Sequence, residues 1–89
     1  MNNDNNAPAV TLRDGALKAS IWRNEGEKGP WYQTKITRIY KDGTGNYHET
    51  PSFTGVELLR AARLAERAYD YIQELIEQNR KIKDQKDAA

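Results

Sequence analysis

Cysteine is absent from this chain, and histidine occurs once among its 89 residues. Without cysteine there is no disulfide framework and no cysteine-ligated zinc site, and a single histidine with no acidic cluster beside it argues against any metal site. The sequence also lacks an apolar run long enough for a membrane span or a signal peptide. We therefore expect a cytoplasmic protein without a membrane partner.

The chain also has almost no net charge, because 14 basic and 13 acidic side chains leave a formal charge of +1. Such a balance gives no global steering towards nucleic acid or membrane, so any basic surface must come from segregation of charge. The hydrophobic content of 37% is typical of a soluble globular protein. A chain of this length makes one small domain, for which oligomerisation is a way to add core.

Residues 52–83 predict a long amphipathic helix with a well-defined start. Thr54 is the predicted N-cap, and Glu57 lies three residues later, where its carboxylate can bind the Thr54 amide in a capping box. Phe53 and Leu58 have the spacing of a hydrophobic staple.

At about 100° per residue, apolar and charged side chains separate onto opposite sides of this helix. The predicted buried stripe is mostly alanine in its first half, which lets a helix lie close to a sheet, and it comprises Leu58, Ala61, Ala65, Ala68, Ile72, Leu75 and Ile76. The predicted solvated side comprises Arg60, Arg63, Arg67, Asp70, Glu74, Glu77 and Lys81.

Four segments before the helix predict β-strands, at residues 10–12, 16–23, 31–41 and 46–50. Asp14-Gly15 predicts a type I′ hairpin turn, and two polar, glycine-bearing segments predict a loop at residues 24–30 and a turn at residues 42–45. Periodicity does not decide which face of residues 31–41 is buried.

This order of elements predicts an α+β fold, a four-stranded antiparallel meander followed by one long C-terminal helix (ββββα). The predicted organisation is a disordered N-terminal tail at residues 1–9, a single domain at residues 10–83 and a frayed C-terminal tail at residues 84–89.

Aromatic and basic side chains alternate along the predicted strands. In proteins that bind single-stranded nucleic acid, aromatic rings stack on bases while cations contact phosphates. The alternative is that these aromatics are core or cross-strand packing, as is common on small sheets. The predicted nucleic-acid-binding residues are Lys18, Trp22, Arg23, Trp31, Lys35 and Arg38.

Nothing in the sequence forms a catalytic constellation. His48 has no nucleophile at a recognisable spacing, and the glycines match neither a phosphate-binding loop nor a dinucleotide fingerprint. We therefore predict a non-enzymatic protein with no cofactor, no metal and no small-molecule substrate.

The predicted helix is longer than the predicted strands. It spans roughly 40 Å at 1.5 Å per residue, whereas a strand of seven or eight residues spans about 25 Å. Bulky side chains near the helix end would then extend past the sheet, and their exposure is unfavourable. We predict that a second copy covers them, in a homodimer interface formed by Tyr69, Ile72, Leu75 and Ile76.

The runs IWRNE at residues 21–25, TRIYKDG at residues 37–43 and Ser52-Phe53 resemble a set of short bacterial and phage proteins. This resemblance covers roughly residues 12–76 and implies no activity. In topology, four strands followed by one helix is similar to the positive-cofactor-four family of single-stranded-DNA-binding coactivators. That similarity implies a homodimer paired through the helix, with single strands bound on a curved sheet.

These observations lead to two functional hypotheses. The first is a dimeric module that binds single-stranded DNA or RNA, such as an accessory protein of transcription or replication. The second is a protein-interaction module that does not bind nucleic acid.

Overall fold

The computed structural model describes the backbone of residues 7–88 and the side chains of residues 7–83. Its elements are β1 (Val10–Asp14), β2 (Leu17–Gly26), β3 (Gly29–Lys41), β4 (Tyr47–Thr50) and α1 (Gly55–Ala88). The strands form one antiparallel sheet in the order β1-β2-β3-β4, with α1 packed on one face. The predicted ββββα fold is confirmed.

Both ends of the predicted domain differ slightly from the structure. Of the predicted N-terminal tail, residues 1–6 lie outside the described residues, whereas the Ala9 N–H donates a 2.7 Å hydrogen bond to the Ile21 carbonyl. The helix continues to Ala88, where we expected a frayed tail after Lys83, and residue 89 lies outside the described residues.

The turn between β1 and β2 differs in type from the prediction. Asp14 is the last residue of β1, so Gly15 and Ala16 form the two-residue loop. Gly15 has a φ of 62°, while no described non-glycine residue has a positive φ. A positive φ at the first loop position alone is the pattern of a type II′ turn, so the predicted type I′ turn is wrong.

The predicted loop at residues 24–30 is also wrong, because β2 and β3 continue through most of it. Their pairing extends to Gly26 opposite Gly29, which leaves only Glu27 and Lys28 as a two-residue loop. Gly29 has a φ of 114°, which a residue with a side chain rarely adopts. Residues 24–30 are therefore polar because they form the solvent-exposed end of the β2–β3 hairpin, and not because they form a loop.

The core lies between the first half of β2 and the first half of α1. Leu17, Ala19 and Ile21 of β2 are buried on the helix side, as alternation along a strand requires. Leu64 and Ala68 of α1 are buried against them. This small cluster is supplemented by half-buried apolar side chains of the neighbouring strands.

The buried side of α1 is rotated from the predicted stripe. Leu64, which the prediction omitted, is only 1% exposed, whereas Leu58 is 57% exposed and Ala65 is exposed. Leu58, Ala65 and Ile76 of the predicted stripe therefore belong to an outer border, and Ile76 is 38% exposed. The charged side is exposed as predicted.

The predicted length mismatch is smaller than expected, because β3 has 13 residues and α1 has 34, which correspond to about 43 Å and about 51 Å. The Asn79 side-chain amide donates a 2.9 Å hydrogen bond to the Tyr32 hydroxyl, and Pro30 and Ile76 line the same groove. The sheet therefore reaches under α1 at least to Asn79. The exposed apolar side chains of α1 up to Ile76 therefore lie beside the sheet, and not past its end.

The helix start agrees with the predicted capping box in its Glu57 half. The Thr54 N–H donates a 2.9 Å hydrogen bond to Glu57 Oε1, and the Leu58 N–H donates to the Thr54 carbonyl at 3.1 Å. The bond from the Thr54 amide is the main reason that the pKa of Glu57 lies below its usual value. Phe53 is half-buried and packs against the core.

Candidate nucleic-acid interface

Four of the six predicted binding residues lie on the face of the sheet that α1 does not cover, called the open face below. Leu17, Ala19 and Ile21 of β2 face the helix. Side chains alternate along a strand, so Lys18 and Trp22 point to the opposite face. Trp22 pairs with Gln33 and Ser20 with Lys35, so the odd-numbered residues of β3 share this face. The register therefore brings together Lys18, Trp22, Trp31 and Lys35.

The other two predicted residues, Arg23 and Arg38, lie on the helix side of the sheet. Arg23 is exposed, pairs in register with Tyr32 and forms an ion pair with Glu25. Arg38 Nε lies 3.2 Å from Glu57 Oε1 and donates to the Ser52 carbonyl at 3.3 Å. The structure thus separates these two cations from the other four residues.

The two indoles are diagonal neighbours on the open face, because Trp31 pairs with Asn24 and Trp22 with Gln33. Trp31 is 51% exposed, and Trp22 is half-buried. The Trp31 ring lies against Gly26, where an added Cβ would be 3.1 Å from the indole Cδ1. Glycine at position 26 therefore leaves the space that this indole occupies.

Asn24 adds a polar group beside the indoles that the sequence analysis did not predict. Its Nδ2 atom is buried and has no hydrogen-bond partner among the described residues. An unpaired buried amide donor is unfavourable unless a partner binds it. The sequence carries no signal for it, because its position beside Trp31 follows only from the strand register.

The charge of Lys18 is compensated within the protein. Lys18 Nζ lies 2.8 Å from Glu49 Oε2, and the buried Thr37 hydroxyl donates to Glu49 Oε1 at 3.0 Å. These two hydrogen bonds, that from Lys18 first, lower the pKa of Glu49 below its usual value. Lys18 is therefore held in place by a carboxylate, whereas Lys35 is exposed.

Two further cations and one tyrosine lie on the open face outside the predicted site. Arg13 pairs with Lys18, which places it on this face, and its side chain is exposed. Lys41 Nζ lies 5.6 Å from the centre of the Tyr47 ring, and that ring is 72% exposed. Once the register is known, the alternation of side chains along β1, β3 and β4 places all three residues on this face.

The β3–β4 turn is organised by Asp42. Its Oδ1 atom accepts hydrogen bonds from the amides of Thr44 at 2.8 Å and Asn46 at 3.0 Å, and from the Thr44 hydroxyl at 2.7 Å. Its Oδ2 atom lies 2.6 Å from His48 Nε2, and the His48 ring stacks on Tyr40. The Thr44 and His48 side chains hold the pKa of Asp42 well below its usual value. His48 therefore has a structural partner in this turn.

The four predicted dimer residues differ in exposure. Tyr69 is 63% exposed and Ile76 is 38% exposed, whereas Ile72 and Leu75 are half-buried over their own sheet. The exposed ones continue a border that includes Leu58 and Ala65, at spacings of seven, four and seven residues. Such spacing is that of a helix–helix contact.

Within residues 7–88 no helix is long and apolar enough to cross a membrane. No group of three or more acidic or histidine side chains in the described part of the chain is arranged to hold a metal ion. Comparison of the chain with protein-family models, curated proteins and solved structures finds no match.

Proposed function

We propose that this chain is a non-enzymatic, cytoplasmic module that binds single-stranded DNA or RNA on its open face. The observation that carries the proposal is the presence of Trp22, Trp31 and Lys35 together on the sheet face that α1 does not cover. A large indole that is half exposed, such as Trp31, offers a ring face on which a base can stack.

In this proposal the indoles stack on bases and the cations contact phosphates. Lys35 supplies a charge that reaches solvent, while Lys18 is positioned by Glu49. Stacking tolerates every base, so recognition depends little on sequence and decreases as salt rises. The resemblance to single-stranded-DNA-binding coactivators rests on the ββββα order alone.

The proposal includes a homodimer. Tyr69 and Ile76 leave apolar surface beside the sheet, and burying one large apolar side chain is worth about 1.5–3 kcal/mol. A second copy that covers these side chains removes this surface from water, and symmetric closed dimers are the commonest oligomers.

The test is a titration of a fluorescein-labelled oligothymidylate with the protein, followed by anisotropy at two salt concentrations. Trp31→Ala is expected to weaken binding by about 1–3 kcal/mol, the range for losing one stacked base. Lys35→Ala is expected to weaken binding and to reduce the salt slope by about 0.7, the value for one phosphate contact on a single strand.

Arg23→Ala is the matched control, because it removes the same charge from the helix side of the sheet. It is expected to leave the salt slope unchanged. If the parent protein does not bind at low salt, or if Arg23→Ala has the effect expected of Lys35→Ala, the open face is not a nucleic-acid site.

A protein-interaction module is the second candidate, favoured by the apolar surface at the start of α1. Val56 is 80% exposed, Leu59 is 73% exposed, and Leu58 lies between them in sequence with 57% exposed. This candidate predicts that oligonucleotides leave tryptophan fluorescence unchanged, and that Leu59→Glu abolishes binding of a protein partner. Oligonucleotide binding that survives Leu59→Glu and fails in Trp31→Ala favours the first candidate.

A further inference from the structure

Half of β3 has a free edge. The Ile39 N–H donates to the Ala16 carbonyl at 2.8 Å, so the main-chain groups of odd-numbered β3 residues point to β2 and those of even-numbered residues point away. β4 pairs only with Arg38–Lys41 on that outer side. In the part of the chain that the structure describes, no strand pairs with the outward groups of Tyr32, Thr34 and Ile36.

The other sheet edges are shorter or covered. On β1, the Arg67 guanidinium reaches from α1 and donates to the Arg13 carbonyl at 3.2 Å. β4 is only 4 residues long. Side-chain cover and short strands are the usual protection against edge-to-edge pairing. The unpaired part of β3 has neither, which singles it out as a surface for another strand.

An apolar groove lies on the helix side of this same edge. It has a volume of about 280 Å³ and is lined by Thr34 and Ile36 of β3 and by Ala65, Ala68, Tyr69 and Ile72 of α1. The exposed Tyr69 ring borders it. A strand that pairs with β3 would therefore also bring its own side chains to an apolar surface, which is how added strands gain both affinity and specificity.

We propose that a second copy of this chain occupies the edge, with the two β3 strands antiparallel about a two-fold axis at Gln33. This register places Tyr32 opposite the partner's Thr34, so that outward main-chain groups meet outward main-chain groups. The same two-fold axis brings Tyr69 from both chains towards the joined grooves. The pairing is isologous, as closed dimers require.

Charge complementarity favours a second copy over a foreign strand. In this register Trp31 lies opposite the partner's Lys35, and Lys35 lies opposite the partner's Trp31. An ammonium group beside an indole is attracted by the ring. The two open faces join into one surface, so each binding site is completed by a cation and an indole of the other chain. That last consequence rests on the proposed function.

The first test uses the absence of cysteine to locate the axis. In Gln33→Cys, the two thiols lie directly opposite each other in a pair without main-chain hydrogen bonds, where Cα atoms are about 4.5 Å apart and a disulfide fits. In Lys35→Cys the two thiols are offset by four residues along the strands, about 13 Å at ~3.3 Å per residue. Mild oxidation is expected to cross-link Gln33→Cys nearly completely and Lys35→Cys hardly at all. Equal cross-linking of the two variants would overturn the register.

The second test removes one outward hydrogen bond without disturbing the fold. The Thr34 N–H points away from β2, so Thr34→Pro is compatible with the β2–β3 pairing but blocks an added strand. Thr11→Pro is the matched control, because Thr11 points outwards from the β1 edge in the same way. Sedimentation is expected to give two chains for the parent protein and Thr11→Pro, and one chain of 10.2 kDa for Thr34→Pro. A monomeric parent protein, or a Thr34→Pro dimer, would overturn the proposal.

The oligonucleotide titration separates this inference from the proposed function. Thr34→Pro is expected to retain stacking on Trp31 but to bind long oligothymidylate about tenfold or more weakly than the parent protein, because one chain presents half of the surface. If the parent protein forms the Gln33 dimer and binds no oligonucleotide, the dimer holds and the function fails. If it binds as a monomer, oligonucleotide binding on the open face holds and the homodimer fails.

Discussion

Leu64→Ala is expected to destabilise the protein more than any truncation on the outer side of α1. Leu64 is 1% exposed and is one of the three largest fully buried side chains, together with Leu17 and Ile21. Truncating a buried leucine to alanine costs about 2–5 kcal/mol, because transfer free energy is lost and a cavity remains. A domain of this size has a free energy of unfolding of about 4–13 kcal/mol, so the loss is a large fraction of the total.

The assay is urea unfolding followed by far-ultraviolet circular dichroism, with thermal melting as a second measure. Leu64→Ala is expected to lower Tm by about 8–40 °C, since 1 kcal/mol corresponds to about 4–8 °C in a small domain. Leu59→Ala is the matched control, because Leu59 is 73% exposed and surface changes are usually within about 0.5 kcal/mol. If Leu58→Ala or Leu59→Ala costs as much as Leu64→Ala, the helix packs in a different phase from the one described.

Two other predictions concern the turns. Gly15→Ala is expected to cost about 1–2 kcal/mol, because Gly15 has a φ of 62° and an added Cβ would lie 3.2 Å from Arg60 Nη1; Gly43→Ala, with nothing within 4 Å, is expected to melt like the parent protein. Thr44 and His48 lower the pKa of Asp42, so the stabilisation by its carboxylate is present above the unfolded value near 3.9 and is lost as pH falls towards the folded value. Thermal melts between about pH 2 and pH 5 should therefore show a smaller loss of stability on acidification for Asp42→Asn than for the parent protein, and parallel curves would contradict this.

The sequence was sufficient for the order of the elements but not for the extent of the sheet. Alternation and turn residues predicted four strands and a helix, and this order is confirmed. Residues 24–30 were predicted as a loop because glycine, proline and charged residues dominate them. Pairing of Gly26 with Gly29 overrides that local preference, since both glycines flank a two-residue loop in a long hairpin. The pairing at this end is fixed by the register of the whole β2–β3 hairpin, which local composition does not report.

The second feature that the sequence could not predict is which side of α1 is buried. Two apolar borders run along α1, and one of them includes Leu58 and Ala65 while the other includes Leu64 and Ala68. A period of about 3.6 residues fits both borders, so periodicity cannot choose between them. The choice depends on which border meets Leu17 and the rest of the β2 face, and that contact exists only in the folded chain.

The composition of the candidate site also could not be predicted from the sequence alone. Residue type and spacing grouped six aromatic and basic side chains, and register divides them between two faces of the sheet. Lys35 and Arg38 are both basic residues of β3, yet an odd and an even position point to opposite sides. Asn24 has no distinguishing sequence signal, since its buried amide is apparent only from the surrounding packing.

The chain order of the sheet has a consequence for synthesis on the ribosome. Each strand pairs with its neighbour in sequence, so the hairpins can form as soon as residues 10–50 have emerged. The helix that covers Leu17, Ala19 and Ile21 begins at Gly55 and is made after them. During that interval a nascent sheet presents its apolar face and the bare half of β3 at the same time. Neighbouring nascent chains on one polysome could then pair through β3 before α1 has packed, so the edge that we propose as the dimer contact is also a site of aggregation.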